Sequence, residues 1–230
     1  PRLFVDGVAP DQILKDWVPL GLEITSHWPN LRTAGNWILS LYELYIRDPT
    51  AERYAIFQDD FVTYKNLRRY LDKCPFPPKA YWNLYTASNS EECIVGKPLG
   101  TWHEGAQLAS NDTNQCGRGA VALVFNREGV INLLEHQHMV ERPQDCHFGW
   151  RKIDGGIVSA MNKAGYREYV HNPSLTWHTG LVSSMGNGEQ RQARSFISED
   201  FDAMDFLNPS ITMSKRFASD TIGAGDMVLA

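Results

Sequence analysis

The stretch YAIFQDDFVTYKNLRRYL, Tyr54 to Leu71, runs from an apolar segment into two adjacent carboxylates, Asp59 and Asp60, and on into a segment of helical spacing. RYAIFQ reads as a strand, and YKNLRRYLDKC reads as a helix that Pro75 stops. Adjacent buried carboxylates repel and raise each other's pKa unless a cation or hydrogen-bond donors compensate them. Two readings follow. Either the pair ends a strand and caps the next helix, a place that favours Asp, or it faces a ligand that supplies positive charge.

Working outward, the flanking segments repeat the same alternation. RLFVDG, Arg2 to Gly7, is a short strand, and APDQILKDW a short helix. LEITSH, Leu22 to His27, is a second strand. NLRTAGNWILSLYELYIRD, Asn30 to Asp48, places Trp37, Leu41, Leu44 and Tyr45 at helical spacing and stops before Pro49. Strand followed by helix, repeated, predicts an α/β domain with a mainly parallel central sheet flanked by helices. Ligands of such sheets bind beyond the carboxyl ends of the strands, and Asp59 and Asp60 stand at one of those ends.

The second half is less regular. AYWNLYTA reads as a strand, and Glu91 to Cys116 as a long polar loop of functional character with GTWHEG inside it. Ala120 to Phe125 reads as a strand followed by a helix, and DGGIVSAMNKAGY as a helix that ends near Gly165. Beyond about Met185 the chain turns polar, which predicts a partly packed extended tail.

With 43% hydrophobic and 21% charged residues, the 230-residue chain has the composition of a globular protein and length enough for one sizeable core. A net charge of −5 gives no general electrostatic reason to bind nucleic acid or anionic membrane. The four cysteines are far apart without a CxxC pair, so neither a zinc site nor a disulfide framework is signalled. No apolar run approaches the roughly 20 residues that span a bilayer, and no basic-then-apolar signal segment is expected at the start. The expectation is a soluble, cytoplasmic protein with no membrane and no evident protein partner.

Three features stand together: FQDD at a strand end, KIDGGIVSAM opening a helix, and NPSLTWHTG after a strand. Their order and spacing resemble the glycosyltransferases of the GT-A fold, in which a DxD-like acidic motif ends a strand, an acid begins a later helix and a histidine near the end completes a metal site. The resemblance covers Arg2 to about Gly186. It implies a GT-A-like, Rossmann-type domain over 1–186 and a C-terminal tail over 187–230. It implies a UDP-sugar donor and a divalent cation, held by Asp60 and His178, that neutralises charge on the departing diphosphate. One imidazole beside a carboxylate tilts the choice from Mg2+ to Mn2+. Asp59 would touch the ribose or donor sugar. Asp154, at a helix start that stabilises its ionised form, would be the general base of an inverting transfer, in preference to Asp145 or Asp202. The sequence departs from the family at Gln58, where the fullest motif carries an acid.

GRGAVALVF, with Gly117, Arg118 and Gly119, lines the donor-sugar pocket in similar enzymes; its glycines either permit close backbone approach or form a tight turn into the strand. Asn36 is the expected nucleotide contact, with Arg32 one turn back. GT-A domains open with a strand and helix that hold the base, and this chain begins on what reads as the second strand. Trp102, His103 and Glu104 are expected to contact acceptor or sugar, and Trp102 reads equally as a packing anchor.

The chain is also similar to small phage and bacterial glycosyltransferases associated with DNA-base oxidation, which implies a 5-hydroxymethylpyrimidine in DNA as acceptor, flipped from the duplex to reach the sugar. Lys65, Arg68, Arg69, Lys73 and Lys79 form either a phosphate-gripping face or a solvated helix surface. A glycan, protein or small-molecule acceptor is the alternative. Two other classes stand beside transfer. A non-catalytic nucleotide-sugar or carbohydrate-binding module would need no Asp154, and a metal-dependent hydrolase would release product without an acceptor. Neither a GxSxG elbow nor a P-loop occurs.

Overall fold

A computed structural model describes residues 1–16, 21–86, 91, 94–105, 119–141, 153–180 and 192–208. Strands and helices are interspersed through these residues, and the class is α/β. The largest sheet has five strands in the order β3 (Arg53–Phe57), β7 (Ala122–Asn126), β5 (Ala80–Asn83), β8 (Arg167–Asn172) and β6 (Thr101–Glu104). Burial follows position in this order. Edge strand β3 alternates, with Tyr54 and Ile56 buried and Ala55 and Phe57 exposed, whereas every residue of β5 and Ala122 to Phe125 of β7 are buried. A strand covered on both faces needs a continuous apolar run, and a half-covered one needs alternation.

The sheet is mixed, where the alternation of elements predicts a mainly parallel one. β6 runs antiparallel to β8, with Trp102 opposite His171 and Glu104 opposite Tyr169. A strand within the supposed polar loop 91–116 is the reason: TWHE pairs backbone to backbone with β8, so Trp102, His103 and Glu104 are half-buried sheet residues. The first two predicted strands, β1 (Arg2–Asp6) and β2 (Glu23–His27), do pair in parallel, but as a separate two-stranded sheet.

The chain divides into two compact units. The first comprises Pro1–Phe57, Lys79–Tyr81 and Leu123–Arg167. Here α1 (Pro10–Asp16) follows β1, and α2 (Arg32–Arg47) buries Ala34, Trp37, Ile38 and Leu41 on one face, with Trp37 edge-on to Phe125 at 6.2 Å. Asn126 caps α4 (Arg127–Glu135) by accepting from the Gly129 amide at 2.7 Å, a side-chain cap worth about 1 kcal/mol. After α5 (Gln137–Glu141), α6 (Ile153–Lys163) buries Ile153, Ile157 and Met161 and ends at Gly165, whose φ of +79° suits a residue without Cβ.

The second unit comprises Gln58–Pro78, Trp82–Ala122 and Glu168–Ala230. A short antiparallel ribbon pairs β4 (Phe61–Thr63) with β9 (Thr176–His178). α3 (Leu67–Lys73) follows β4. Residues 192–208 pack here through Tyr64, whose ring stacks on Phe196 at 4.5 Å and meets Phe201 and Phe206 edge-on at 5.3 and 5.5 Å. Gly100 admits no side chain, because a Cβ there would lie 2.7 Å from the Phe206 carbonyl in the 3-10 helix Ala203–Leu207. Among the described residues no helix is long and apolar enough to cross a membrane.

Candidate functional site

The acidic pair sits where one strand ends and another begins. Phe57 closes β3, the Gln58 amide still donates to the Val121 carbonyl at 2.8 Å, and the chain then bends at Asp59–Asp60 into β4. β4 pairs with β9 in a register that sets Phe61 opposite His178, and the Thr179 amide donates to the Asp60 carbonyl at 2.9 Å. This backbone pairing brings together two side chains remote in sequence: His178 Nε2 lies 3.1 Å from Asp60 Oδ2. Neither aspartate caps α3, whose N-cap is Asn66. The like charges of the pair are relieved separately, by solvent around exposed Asp59 and by the imidazole beside Asp60.

The pair is half open. The His178 side chain is 5% exposed and that of Asp60 45%. Asp60 Oδ1 is buried and has no hydrogen-bond partner. A buried acceptor left without a donor costs about 1–3 kcal/mol, more when charged, and a cation on the carboxylate lowers that cost by drawing charge off it. The separation of Oδ2 and Nε2 also fits. Two neighbouring ligands of an octahedral cation with bonds of about 2.1 Å lie about 3.0 Å apart. Among the described residues no group of three or more His, Cys, Asp or Glu side chains could hold a metal ion. Asp60 and His178 are therefore the two ligands that the described residues would offer a cation seated there.

The surroundings fix the imidazole. The Gly180 amide donates to Nδ1 at 3.2 Å, which puts the proton of the neutral ring on Nε2, toward Asp60. Ligation through Nε2 would move that proton to Nδ1 and release the Gly180 amide. A Cβ on Gly180 would stand 2.9 Å from His178 Cε1 and 3.5 Å from Asp60 Oδ2, so a side chain there crowds the pair. Tyr85, just beyond β5, lies over His178 at 6.1 Å between ring centroids. Sequence spacing signals neither Tyr85 nor the steric role of Gly180.

The other predicted residues are distributed over both units. Asp154 is exposed in the first turn of α6, in the first unit. Asn36, also in the first unit, has its side-chain oxygen 2.6 Å from Nδ1 of buried His27, whose Nε2 lies 3.0 Å from Glu43. Arg32 is exposed at the start of α2 with φ +63°. Gly119 adopts φ +62°, a left-handed turn immediately before buried Ala120 to Phe125; Gly117 and Arg118 lie outside the described residues, as does Asp145. Asp202 accepts from the Met204 amide at 2.9 Å through one oxygen and from the Asn66 side-chain amide at 2.8 Å through the other. Of the basic run, Lys65 pairs with Asp200 at 2.7 Å, and Arg68, Arg69, Lys73 and Lys79 are exposed.

His171 forms a second, closed cluster. Its Nδ1 lies 2.7 Å from the Pro173 carbonyl and its Nε2 2.7 Å from the Tyr70 hydroxyl, so Nδ1–H donates and Nε2 accepts. Burial pulls this imidazole down to about 3, against the Pro173 carbonyl, which favours the protonated ring. The same burial raises the Tyr70 phenol, with the nearby Cys74 thiol adding to the rise. Both groups are neutral at physiological pH. No protein-family model matches the chain, and no curated protein matches it.

Proposed function

We propose that the chain is a glycosyltransferase of the GT-A type that transfers a sugar from a UDP-sugar to an acceptor hydroxyl with a divalent cation, manganese or magnesium. The observation that carries this is the Asp60–His178 pair: a carboxylate and an imidazole 3.1 Å apart at a strand end, with one carboxylate oxygen left unpartnered. A donor set of one acid and one histidine suits a cation that shares itself with a diphosphate. In the reaction the bond from the anomeric carbon to the UDP oxygen breaks, and a bond to the acceptor oxygen forms. The acceptor proton passes to a base, and UDP leaves. A bound cation supplies charge stabilisation for that diphosphate. Asp60 and His178 would hold it, and exposed Asp59 would contact the donor sugar or ribose. Asp154 is the proposed base of an inverting transfer on the family resemblance alone. The resemblance to DNA-modifying enzymes makes a hydroxymethylpyrimidine one candidate acceptor.

Calorimetric titration with UDP-glucose, UDP-galactose and the corresponding GDP and CDP sugars, with manganese and with chelator, tests the reading. The expected result is a UDP-sugar isotherm that requires manganese and disappears in Asp60→Ala. Binding of equal strength in chelator, or preference for a GDP or CDP donor, overturns it.

A further inference from the structure

The two nitrogens of His178 make opposite demands on their surroundings. Nε2 lies 3.1 Å from Asp60 Oδ2 and supplies the proton, whereas Nδ1 accepts from the Gly180 amide at 3.2 Å. A histidine that binds a cation through one nitrogen almost always donates its other ring N–H to a carbonyl, a carboxylate or water. Here a donor holds that place. We propose that Gly180 is a positioning residue of the pair: its amide keeps the proton on Nε2 while the pair is free, and the Thr179–Gly180 peptide turns over to set the Thr179 carbonyl against Nδ1–H when Nε2 ligates a divalent cation. The inference rests on the reading of Asp60 and His178 as cation ligands. The ring stays neutral throughout, since Nε2 releases its proton to water on ligation and Nδ1 takes one up from water.

Three observations support it. First, the peptide that turns is the one just beyond the strand pairing. β9 ends at His178, and the Thr179 amide donates to the Asp60 carbonyl at 2.9 Å. That bond anchors Thr179 on its N-terminal side and leaves rotation to ψ of Thr179 and φ of Gly180. A peptide unit is planar with its C=O and N–H pointing in opposite directions, so one half-turn exchanges amide for carbonyl at Nδ1. Thr179 is exposed and Gly180 partly so, which lets water take up the released N–H.

Second, residue 180 is one that tolerates both settings. Gly180 does not have a positive φ here, and a half-turn of the peptide gives it one, a conformation that glycine adopts about as readily as the negative. A Cβ at this position would also stand 2.9 Å from His178 Cε1 and 3.3 Å from Nδ1, so a side chain crowds the ring before any turn. Third, ligation without the turn leaves two donors facing each other. The His178 side chain is 5% exposed, and a buried N–H without an acceptor carries the full cost of its lost hydration.

Heteronuclear NMR on the full chain, with zinc as a diamagnetic probe and manganese as a paramagnetic one, tests the turn. The His178 ring nitrogens are assigned by their loss in His178→Gln. In the cation-free protein the ring proton is expected on Nε2. Saturating zinc should move it to Nδ1, shift the Gly180 amide, and change severalfold the nuclear Overhauser effect between that amide and the Thr179 α-proton, which reports ψ of Thr179. Asp60→Asn keeps an acceptor for the Nε2 proton but loses the charge, and there zinc should leave all three signals unmoved. Manganese should broaden the His178 ring signals in the wild type alone. A proton that moves to Nδ1 with no change at Gly180 overturns the turn and leaves the cation reading standing. A proton already on Nδ1 before zinc is added overturns it as well, and manganese broadening then decides the cation reading separately. Equal zinc responses in Asp60→Asn assign them to another site and overturn the inference. A ring indifferent to both cations removes the cation reading and the turn together.

Discussion

His171 and His178 lie on one short segment of the second unit, both are buried, and they do opposite things. Both nitrogens of His171 are spent on protein groups, the Tyr70 hydroxyl and the Pro173 carbonyl, and Trp102 and Phe206 rings close over it at 5.0 and 5.1 Å. His178 faces a carboxylate that is 45% exposed and has an unpartnered oxygen. A polar cluster satisfied by itself contributes to a unique fold. One left unsatisfied at a half-open edge costs stability and is kept where a ligand completes it.

The largest expected effect tests the open cluster. Asp60→Ala removes the carboxylate that pairs with His178 and should abolish metal-dependent transfer, measured as UDP release with manganese, while the thermal midpoint falls modestly, because buried His178 loses the acceptor of its Nε2 proton as the unpartnered Oδ1 is removed with it. A variant with wild-type activity in chelator-treated buffer would break the contrast between the two histidines.

Next comes Asp154→Asn. A positioned base contributes roughly a hundredfold to ten-thousandfold, so turnover should fall by that factor with manganese-dependent UDP binding unchanged. The product should also have the anomeric configuration opposite to the donor. A retained configuration, read from an NMR coupling constant, would remove Asp154 from the role and leave the Asp60–His178 pair in place.

The comparison also marks what the sequence made legible. The α/β class followed from alternating apolar runs and helical spacing, and β3, β5 and β7 fall where continuous or alternating burial predicts them. The polarity of the sheet did not, because TWHE carries no alternating pattern and its pairing with β8 is a long-range backbone fact. Nor did the β4–β9 ribbon: three-residue strands give no periodicity, yet this ribbon sets His178 beside Asp60. The order of residues 192–208 was hidden for a related reason. It comes from Tyr64, Glu91 and Ser174, all distant in the chain, while the segment's own composition reads as a polar tail.

The closed cluster predicts a pH dependence of moderate size. His171 in the folded protein is held near 3, whereas in the unfolded chain it titrates near 6.5. Between these values the unfolded state binds one more proton, so the stability difference is absent above about pH 6.5 and grows as pH falls toward 3. The slope is about 1.4 kcal/mol per pH unit. Urea melts at pH 7, 6, 5 and 4 should show this loss, and His171→Gln should flatten it. A slope unchanged by the substitution would assign the acid sensitivity to other groups.

The smallest effect is expected from Tyr70→Phe, and it tests whether the closed cluster is closed by hydrogen bonding or by packing alone. The substitution keeps the ring contacts of Tyr70 with His171 and Phe206 at 5.5 and 5.7 Å and removes only the hydroxyl. His171 Nε2 then loses the donor 2.7 Å away and is left a buried acceptor without a partner, which costs about 1–3 kcal/mol at neutral pH. Burial is the largest cause that holds His171 near 3, and a hydroxyl that can accept as well as donate serves both states of the ring, so its loss leaves the acid slope in place. Tyr70→Phe should therefore be less stable than wild type at every pH from 7 to 4, with the two denaturation curves parallel. Curves that converge in acid would mean that the hydroxyl, and not burial, keeps His171 unprotonated.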